Sequence, residues 1–431
     1  MKLRSTKSKV IAVVVLLVCV AICVTAVLLI RGRRQPEVAK TKVAIWHTFT
    51  KDQEAYLVKA AADFNATSDK YEVEVLSQAY SGFTDTVRNA VTNGVGPDII
   101  FNYASEAAEY VDKKMVADLS QYIYSDKNGI AGFDTSLAQG VMDGEVNGFS
   151  DGLIHYLPAY TTGPILYYNA TLYTELGLTV PTTWDEVVEN CKVIKEKKNI
   201  AGLGFDSLTD CIQMFIMEDG CGYIDTENKC VTFNTESMKA KIQWLVDCVN
   251  AGYFTIASSG DYFSTDFNSG IVASYIGSCA GYPYIAPDGF EFAMAPMPAT
   301  TWYPSWNRGP IVFYYNDDAR AEGAYEFVKY FISADVNLGW VKAVNALAPY
   351  SWTKELEGYK AYLAEDTLAI KSLNAVSAHL DIAGSLPSVT GASTVRKEIV
   401  NAVKNVINNG KTVEEAWNEC EILCNAALKG E

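Results

Sequence analysis

An uncharged apolar run near the N-terminus, residues 10–30, sets the first limit on what this chain can fold into. At a helical rise of about 1.5 Å per residue, the run spans about 30 Å, the thickness of a bilayer's hydrocarbon core. It exceeds the roughly 7 to 15 apolar residues of a cleaved secretory signal, and its best cleavage pattern, Val24-Thr25-Ala26, is poor. We therefore expect residues 1–34 to hold an uncleaved membrane anchor, with a cleaved signal or a lipid-modified cysteine as the alternatives.

No second apolar run of this length follows Arg34. The rest of the chain is therefore expected on one side of the membrane, beyond a short tether at residues 35–42. This body is acidic, because from residue 35 onward it has 28 Lys and Arg against 51 Asp and Glu, a net charge of −23. Such a surface repels phosphate backbones, and we expect no nucleic-acid partner.

The first part of the body alternates strand and helix patterns. Apolar or alternating runs predict strands at residues 43–46, 71–76 and 98–101, and helical periodicity predicts helices at 53–66 and 83–93. This βαβαβ order predicts a parallel sheet covered by helices on both faces. Ligands of such sheets bind beyond the carboxyl ends of the strands.

The remainder of the chain continues with α/β signals and ends in helices. Thr183 and Glu186 form a capping-box pattern at the start of one predicted helix, and Thr412 and Glu415 form a second near the C-terminus. Further strands are expected at residues 202–205, 271–276, 290–295 and 311–315, and further helices at 208–219, 238–250 and 394–408. The predicted fold class is α/β.

Sequence motifs for catalysis are absent. The three histidines, His47, His155 and His379, are too scattered for an HExxH zinc site. The segment at residues 277–281 places Ser278 one position too early for a nucleophile elbow. We therefore expect a binding protein, not an enzyme, with no metal and no cofactor. A pair of glycosidase carboxylates is the enzymatic alternative that the sequence leaves open.

Four short stretches of the body carry a family resemblance. They are Val43-Ala44-Ile45-Trp46-His47, Gly96-Pro97-Asp98-Ile99-Ile100, Gly163 to Asn169 with Pro181 to Glu186, and Phe267 to Ala273. In this order they resemble the extracellular solute-binding proteins of bacterial ABC importers, in the group of the maltodextrin-binding and glycerol-3-phosphate-binding proteins. The similarity covers residues 42–428.

The resemblance implies a two-lobed fold of the periplasmic-binding-protein type (type II-like), with a ligand cleft between the lobes. Lobe 1 is expected at residues 43–153 plus 268–318, and lobe 2 at residues 154–267 plus 319–431. The resemblance also implies an extracytoplasmic receptor that passes a small carbohydrate-like solute to an ABC permease and its ATPase. We expect this receptor to be monomeric. Oligosaccharides, polyols and glycerol phosphates are the solute types implied. A sensory or adhesive module without transport is the alternative.

Candidate ligand contacts come from strand ends and from family alignment. Ligands of parallel sheets bind beyond the carboxyl ends of the strands, which we call the strand-end rule. This rule selects Trp46, His47, Tyr80, Asn102 and Tyr103. Alignment with the family adds Thr161, Thr162, Asp206, Ser207, Ser278, Trp306 and Arg308. Aromatic rings suit the C–H faces of sugars, and polar side chains suit their hydroxyl edges. An arginine suits a carboxylate or phosphate, and a structural salt bridge is the alternative for Arg308.

The sequence also departs from its relatives. Asn102 stands where the maltodextrin binders place a stacking Trp, and Leu208 and Cys211 stand where the glycerol-3-phosphate binders place two Trp. The ligand of neither relative therefore transfers directly.

Overall fold

The computed structural model describes residues 14–18, 20, 39–206, 208–256 and 263–431. The predicted anchor and tether lie largely outside these ranges, although residues 14–18 and 20 are helical. Among the described residues, no helix is both long enough and apolar enough to cross a membrane.

The described body alternates short strands and helices. The strands are β1 Thr41–His47, β2 Tyr71–Ser77, β3 Ile99–Asn102, β4 Tyr160–Thr162, β5 Pro164–Asn169, β6 Leu203–Phe205, β7 Ile224–Asp225, β8 Cys230–Val231, β9 Phe254–Ile256, β10 Ser274–Ser278, β11 Phe292–Pro296, β12 Tyr303–Pro304, β13 Trp306–Val312 and β14 Ala383–Gly384. The α-helices of the first half are α1 Lys51–Thr67, α2 Phe83–Thr92, α3 Ala104–Val111, α4 Ser120–Ile123, α5 Gln139–Val141, α6 Ala170–Leu176, α7 Trp184–Lys198, α8 Leu208–Asp219 and α9 Glu236–Asn250. Those of the second half are α10 Ser264–Asn268, α11 Asp318–Phe331, α12 Ala334–Val344, α13 Ser351–Lys354, α14 Glu357–Leu363, α15 Leu368–Ser377, α16 Ala392–Asn409 and α17 Val413–Lys429. A π-helical turn spans Met142–Val146, and 3₁₀ turns span Phe133–Thr135 and Cys279–Tyr284.

Two five-stranded sheets form the centres of two lobes. The sheet of lobe 1 has the order β2-β1-β3-β13-β4, and the sheet of lobe 2 has the order β11-β5-β10-β6-β9. In lobe 1, β1 pairs in parallel with β2 and β3, whereas β13 runs antiparallel to β3. The predicted βαβαβ order is confirmed, as are both capping boxes.

The chain passes from one lobe to the other at paired, buried segments. β4 of lobe 1 leads into β5 of lobe 2 through Gly163, and β11 of lobe 2 leads through β12 into β13 of lobe 1. A Cβ atom at Gly163 would collide with the phenol of Tyr303 in β12. The Tyr303 hydroxyl in turn donates to the carbonyl oxygen of Pro164 at 2.8 Å. The two crossings are therefore packed against each other.

The predicted lobe boundaries are wrong in three places. β4, predicted in lobe 2 as part of residues 154–267, pairs with β13 in the sheet of lobe 1. β10 and β11, predicted in lobe 1 as part of residues 268–318, pair with β5 in the sheet of lobe 2. Helices α11 and α12, predicted in lobe 2, pack on α1 and the sheet of lobe 1. The physical reason is that the sheet to which a strand belongs is decided by pairing with distant segments, which local periodicity does not encode.

Asp98, from the Pro-Asp stretch, ties three elements of lobe 1 together. Its side chain is 2% exposed. One carboxylate oxygen accepts from the backbone N–H of Ala44 in β1 at 2.8 Å. The other accepts from Nε of Arg320 in α11 at 2.8 Å and lies 2.7 Å from its Nη2. Replacing this carboxylate leaves a partly buried guanidinium without its counter-charge.

We therefore predict that Asp98→Asn lowers the free energy of unfolding by about 2–4 kcal/mol, because it breaks a buried ion pair but keeps an acceptor for Ala44. Urea denaturation measures the change. Asp85→Asn is the matched control, because Asp85 pairs with Arg88 at 3.0 Å on the surface and should cost less than about 1 kcal/mol. Equal losses in both variants would contradict the role assigned to Asp98.

Candidate functional site

A cleft of about 430 Å³ lies between the two lobes. Its lining combines aromatic rings, carboxylates, amides and hydroxyls. The aromatic residues are Tyr80, Tyr103, Tyr223, Trp302 and Trp306. The polar and charged residues are Ser105, Glu145, Asp206, Asp210, Gln213, Ser278, Ser305, Asn307, Ser385, Ser388 and Arg396. The cleft can therefore offer flat apolar surfaces and hydrogen-bonding groups to one ligand.

Five of the residues selected from the sequence line this cleft: Tyr80, Tyr103, Asp206, Ser278 and Trp306. Tyr80 follows β2 and is 72% exposed, so its ring is held by few protein contacts. Tyr103 directly precedes α3 and is half-exposed. These two follow the second and third strands of the parallel part of the sheet, as the strand-end rule expects.

Trp46 and His47 lie in lobe 1, apart from the cleft lining. The half-buried ring of Trp46 packs against the core cluster that includes Val87 and Ile100. His47 is buried, and its Nδ1 accepts from the backbone N–H of Phe49 at 3.1 Å. Burial lowers the pKa of His47. The strand-end rule identifies the correct edge of the sheet, but it does not say which side chains at that edge turn back into the core.

Asn102, Thr161 and Thr162 lie behind the cleft surface. The side-chain oxygen of Asn102 accepts from the N–H of Tyr103 at 3.1 Å. Thr161 is buried, and its hydroxyl donates to Oδ1 of Asn307 at 2.6 Å. Thr162 is also buried and pairs with Trp306 across β4 and β13. These three residues support cleft residues, whereas Ser207 lies outside the described residues.

Arg308 is not among the residues that line the cleft, and it forms no salt bridge within the described part of the chain. Its Nε and Nη2 donate to the carbonyl oxygen of Phe101, at 3.1 and 3.0 Å. The guanidinium lies 5.2 Å from the centroid of the Phe49 ring. It contacts a backbone carbonyl and an aromatic face, and it braces β13 against the end of β3.

Arg396 is a cleft residue that the sequence analysis missed. It lies on α16, and its Nη1 donates to Oε1 of Gln213 at 3.0 Å. Its Nη2 lies 3.4 Å from Oδ1 of Asp210, and the same oxygen accepts from Nε1 of Trp306 at 3.1 Å. The available signal was rarity, since Arg396 is one of only four arginines beyond residue 34.

Glu145, on the π-helical turn, is a second missed residue. Its side chain is 8% exposed, and Oε1 accepts from Nδ2 of Asn307 at 3.1 Å. Oε2 has no hydrogen-bond partner among the described residues. Burial raises the pKa of Glu145 to about 7. Single π-helical turns occur frequently at functional sites.

Asp206 is the other cleft carboxylate that burial affects. One of its oxygens accepts from the N–H of Phe263 at 2.6 Å. Burial nevertheless raises the pKa of Asp206 to about 6. The cleft therefore contains two carboxyl groups whose ionisation is costly in the absence of a ligand.

One end of the cleft is bridged by hydrogen bonds between the lobes. The hydroxyl of Ser393 donates to Oε1 of Glu109 at 3.1 Å, and the N–H of Gly391 donates to the same oxygen at 3.3 Å. The hydroxyl of Thr390 donates to Asp112 at 3.0 Å. The Glu109 carboxylate lies at the N-terminus of α16, where the helix dipole favours a negative charge.

Comparison with known protein families identifies one match that covers most of the body. A family model described as "Bacterial extracellular solute-binding protein" matches residues 59–357. Among characterised relatives, the sn-glycerol-3-phosphate-binding periplasmic protein UgpB of Yersinia pestis is 22% identical over 379 residues. The alignment covers 82% of this chain and 85% of that protein.

Solved structures with the same fold include sugar-binding proteins. The cyclic alpha-maltosyl-1,6-maltose binding protein of Arthrobacter globiformis superposes with a TM-score of 0.75 at 21% identity, covering 91% of this chain and 100% of that one. The ABC substrate-binding protein Lmo0181 of Listeria monocytogenes, solved with cycloalternan, superposes with a TM-score of 0.74 at 18% identity and the same coverage. At these identities the structures establish the two-lobed α/β fold.

The raised pKa of Glu145 predicts how Glu145→Gln changes stability with pH. Because the folded-state pKa of about 7 exceeds the ordinary 4.5, the folded protein binds the extra proton between these values, and stability falls as the pH rises through this window. Glutamine cannot ionise, so the variant should match the parent near pH 4.5 and exceed it by about 2–3 kcal/mol at pH 8.

Urea denaturation at both pH values measures this difference. The control is Asp143→Asn, which removes a carboxylate from the exposed side of the same π-helical turn and should change stability equally little at both pH values. A Glu145→Gln variant that is less stable than the parent at pH 8 would show that the ionised carboxylate stabilises the fold.

Proposed function

The chain belongs to the bacterial extracellular solute-binding proteins, and we propose that it captures a carbohydrate in the cleft between its lobes and delivers it to the permease of an ABC importer. The observation that carries the proposal is the composition of the cleft lining. Tyr80 and Tyr103 come from lobe 1. Tyr223 directly precedes β7, and Trp302 lies in the segment that joins β11 of lobe 2 to β12. Rings on both sides suit the C–H faces of sugar units.

The charges in the cleft favour a sugar over a phosphorylated glycerol. Glu145, Asp206 and Asp210 contribute three carboxyl groups, whereas Arg396 contributes the one guanidinium among the described lining residues. That guanidinium already bonds to Gln213 and Asp210. A phosphate ester would bring two negative charges toward these carboxylates, and like charges at short range are repelled.

The names of the structural neighbours agree with this preference. The Arthrobacter globiformis protein is named for binding cyclic alpha-maltosyl-1,6-maltose, and Lmo0181 was solved with cycloalternan. Both ligands are oligosaccharides. A relative named for sn-glycerol-3-phosphate is 22% identical, but this chain lacks two aromatic residues that we associate with that ligand. We therefore propose an oligosaccharide or a related polyol, with Tyr80, Tyr103, Asp206, Ser278 and Trp306 as contacts.

Capture requires the two lobes to move relative to each other. A solute that contacts both lobes binds the closed arrangement better than the open one and shifts the population toward it. The paired crossings at Gly163 and Tyr303 are narrow and buried, so we propose that the motion pivots there. The contacts of Glu109 and Thr390 between the lobes are formed in this structure, and we propose that they break when the cleft opens.

The protein acts on the extracytoplasmic side of the membrane, as its family does. We propose further that residues 10–30 remain uncleaved and hold it beside its permease, because tethering raises the effective concentration of the receptor. The receptor itself is proposed to work as a monomer. A sensory or adhesive module without transport is the alternative, and a permease and an ATPase encoded beside this chain would favour transport.

The anchor is tested by membrane fractionation of cells that make the full chain. We expect the protein in the membrane fraction after a high-salt wash, with an intact mass that includes residues 1–34, because a span of this apolarity does not dissociate in salt. A variant that lacks residues 1–30 is the control, because any membrane association that it retains comes from the body and not from the anchor. Recovery of a shorter, soluble species from the full chain would show cleavage instead.

Isothermal titration calorimetry against linear and cyclic oligosaccharides, polyols and sn-glycerol 3-phosphate tests the proposed ligand class. We expect binding by at least one oligosaccharide or polyol, and weaker or no binding by sn-glycerol 3-phosphate because of the cleft carboxylates. Binding by sn-glycerol 3-phosphate alone would contradict the proposal. Hydrolysis of any oligosaccharide would indicate a glycosidase.

Two aromatic replacements separate cleft contacts from core packing. Tyr80→Ala should weaken binding by about tenfold or more and leave the melting temperature nearly unchanged, because the ring is largely exposed. Trp46→Ala should instead lower stability by about 2–3 kcal/mol, because its ring packs on the core of lobe 1. Unchanged binding in Tyr80→Ala would remove this ring from the proposed site.

A further inference from the structure

Glu145 is a buried carboxylate whose side-chain neighbours are neutral, namely the amide of Asn307 and the hydroxyl of Ser385. Oε1 accepts from Nδ2 of Asn307 at 3.1 Å, whereas Oε2 has no hydrogen-bond partner among the described residues. The side chain is more than nine-tenths buried and lines the cleft. Burying a carboxylate oxygen without a partner is costly, and such a group is normally paired with a donor or a cation.

The surrounding backbone holds Glu145 in this position. It lies in the π-helical turn Met142–Val146, which packs closely on the segment after β14. A Cβ atom at Gly144 would lie 3.3 Å from Cβ of Ser385. Asn307 is itself fixed, because Thr161 donates to its Oδ1 at 2.6 Å. The free oxygen therefore has little room to turn toward solvent.

The described lining residues contain no cation that is available to pair with this oxygen. Arg396 is bonded to Gln213 and Asp210. Arg308 donates to the carbonyl oxygen of Phe101 and is not among the lining residues. Asp206 adds a further carboxylate to the same cleft. The described lining residues therefore leave the charge of the Glu145 carboxylate without a counter-charge.

We propose that Glu145 determines the specificity of the cleft by pairing with an ammonium group, so that the ligand is an amino-substituted sugar. This inference rests on the proposed function and narrows its ligand class. A sugar hydroxyl offers one neutral donor, whereas an ammonium group offers three donors and cancels the charge of the carboxylate. The aromatic rings of the cleft also attract a cation placed over their faces. The acidic body as a whole draws cations toward the cleft.

Titration calorimetry with matched pairs of sugars tests the inference. Each pair consists of a neutral sugar and its amino-substituted form: cellotriose with the deacetylated chitosan trimer, which carries one amine in each of its three units, and maltotriose with a form in which one 6-hydroxyl is replaced by an amine. We expect the amino member of at least one pair to bind about tenfold or more tightly than the neutral member. Added salt should weaken the amino member more strongly, because the contact is ionic.

Variants of Glu145 test whether this residue provides the preference. Glu145→Gln should abolish the difference between the two members of the pair, whereas Asp143→Asn, on the exposed side of the same turn, should preserve it. Melting curves verify that each variant is folded. If Glu145→Gln does not fold, Glu145→Asp serves instead, since it keeps the charge, withdraws the oxygen and should reduce the preference.

The outcomes separate this inference from the proposed function. If neutral sugars bind as well as or better than their amino forms, or if Glu145→Gln keeps the preference, the inference is wrong and the receptor function stands. If folded protein binds neither member of any pair, and no other carbohydrate, both are wrong.

Discussion

Strand β13 is the element on which the lobes and the cleft both depend. It pairs with β3 through Gly309 to Val312 and with β4 through Trp306 to Arg308, and so it closes the sheet of lobe 1. Its first residues also line the cleft. Asn307, 1% exposed, accepts from Thr161 of the neighbouring strand and donates to Glu145 of the π-helical turn. One buried amide thus connects the crossing strands to the carboxylate of the site, and the low dielectric of the interior strengthens both bonds.

The electrostatics of the cleft follow from this arrangement. Asp210 is 3% exposed and contacts both Trp306 and Arg396, so β13, α8 and α16 meet at one carboxylate. The opposite charges of Asp210 and Arg396 largely cancel. Glu145 and Asp206 therefore determine the net charge of the remaining cleft surface. Both have a raised pKa because of burial. A ligand that donates hydrogen bonds or carries a positive charge compensates for that burial, and one that carries a phosphate opposes it.

Those parts of the fold that local patterns determine were predictable from the sequence. The strands and helices of the first hundred residues of the body follow hydrophobic periodicity, and the helices after Thr183 and Thr412 begin at capping boxes that are local by nature. Tyr80 and Tyr103 were also predictable, because parallel strands of known order end at one edge.

The remainder depended on pairing over long distances. β10 belongs to the sheet of lobe 2 because it pairs with β5, more than a hundred residues earlier in the chain, and no local signal carries that partner. Glu145 and Arg396 reach the cleft from a π-helical turn and a helix, where the strand-end rule does not apply. Trp46 and His47 end a strand at the correct edge, but they turn into the interior of lobe 1.

A crystal structure of the protein with a bound carbohydrate would decide whether the cleft is the site around which this fold is organised. We predict density for the sugar between Tyr80 and Tyr103 on one side and Trp302 and Trp306 on the other, with a donor of the ligand at Oε2 of Glu145. A sugar bound on an outer face of either lobe, with the cleft filled only by water, would contradict this interpretation.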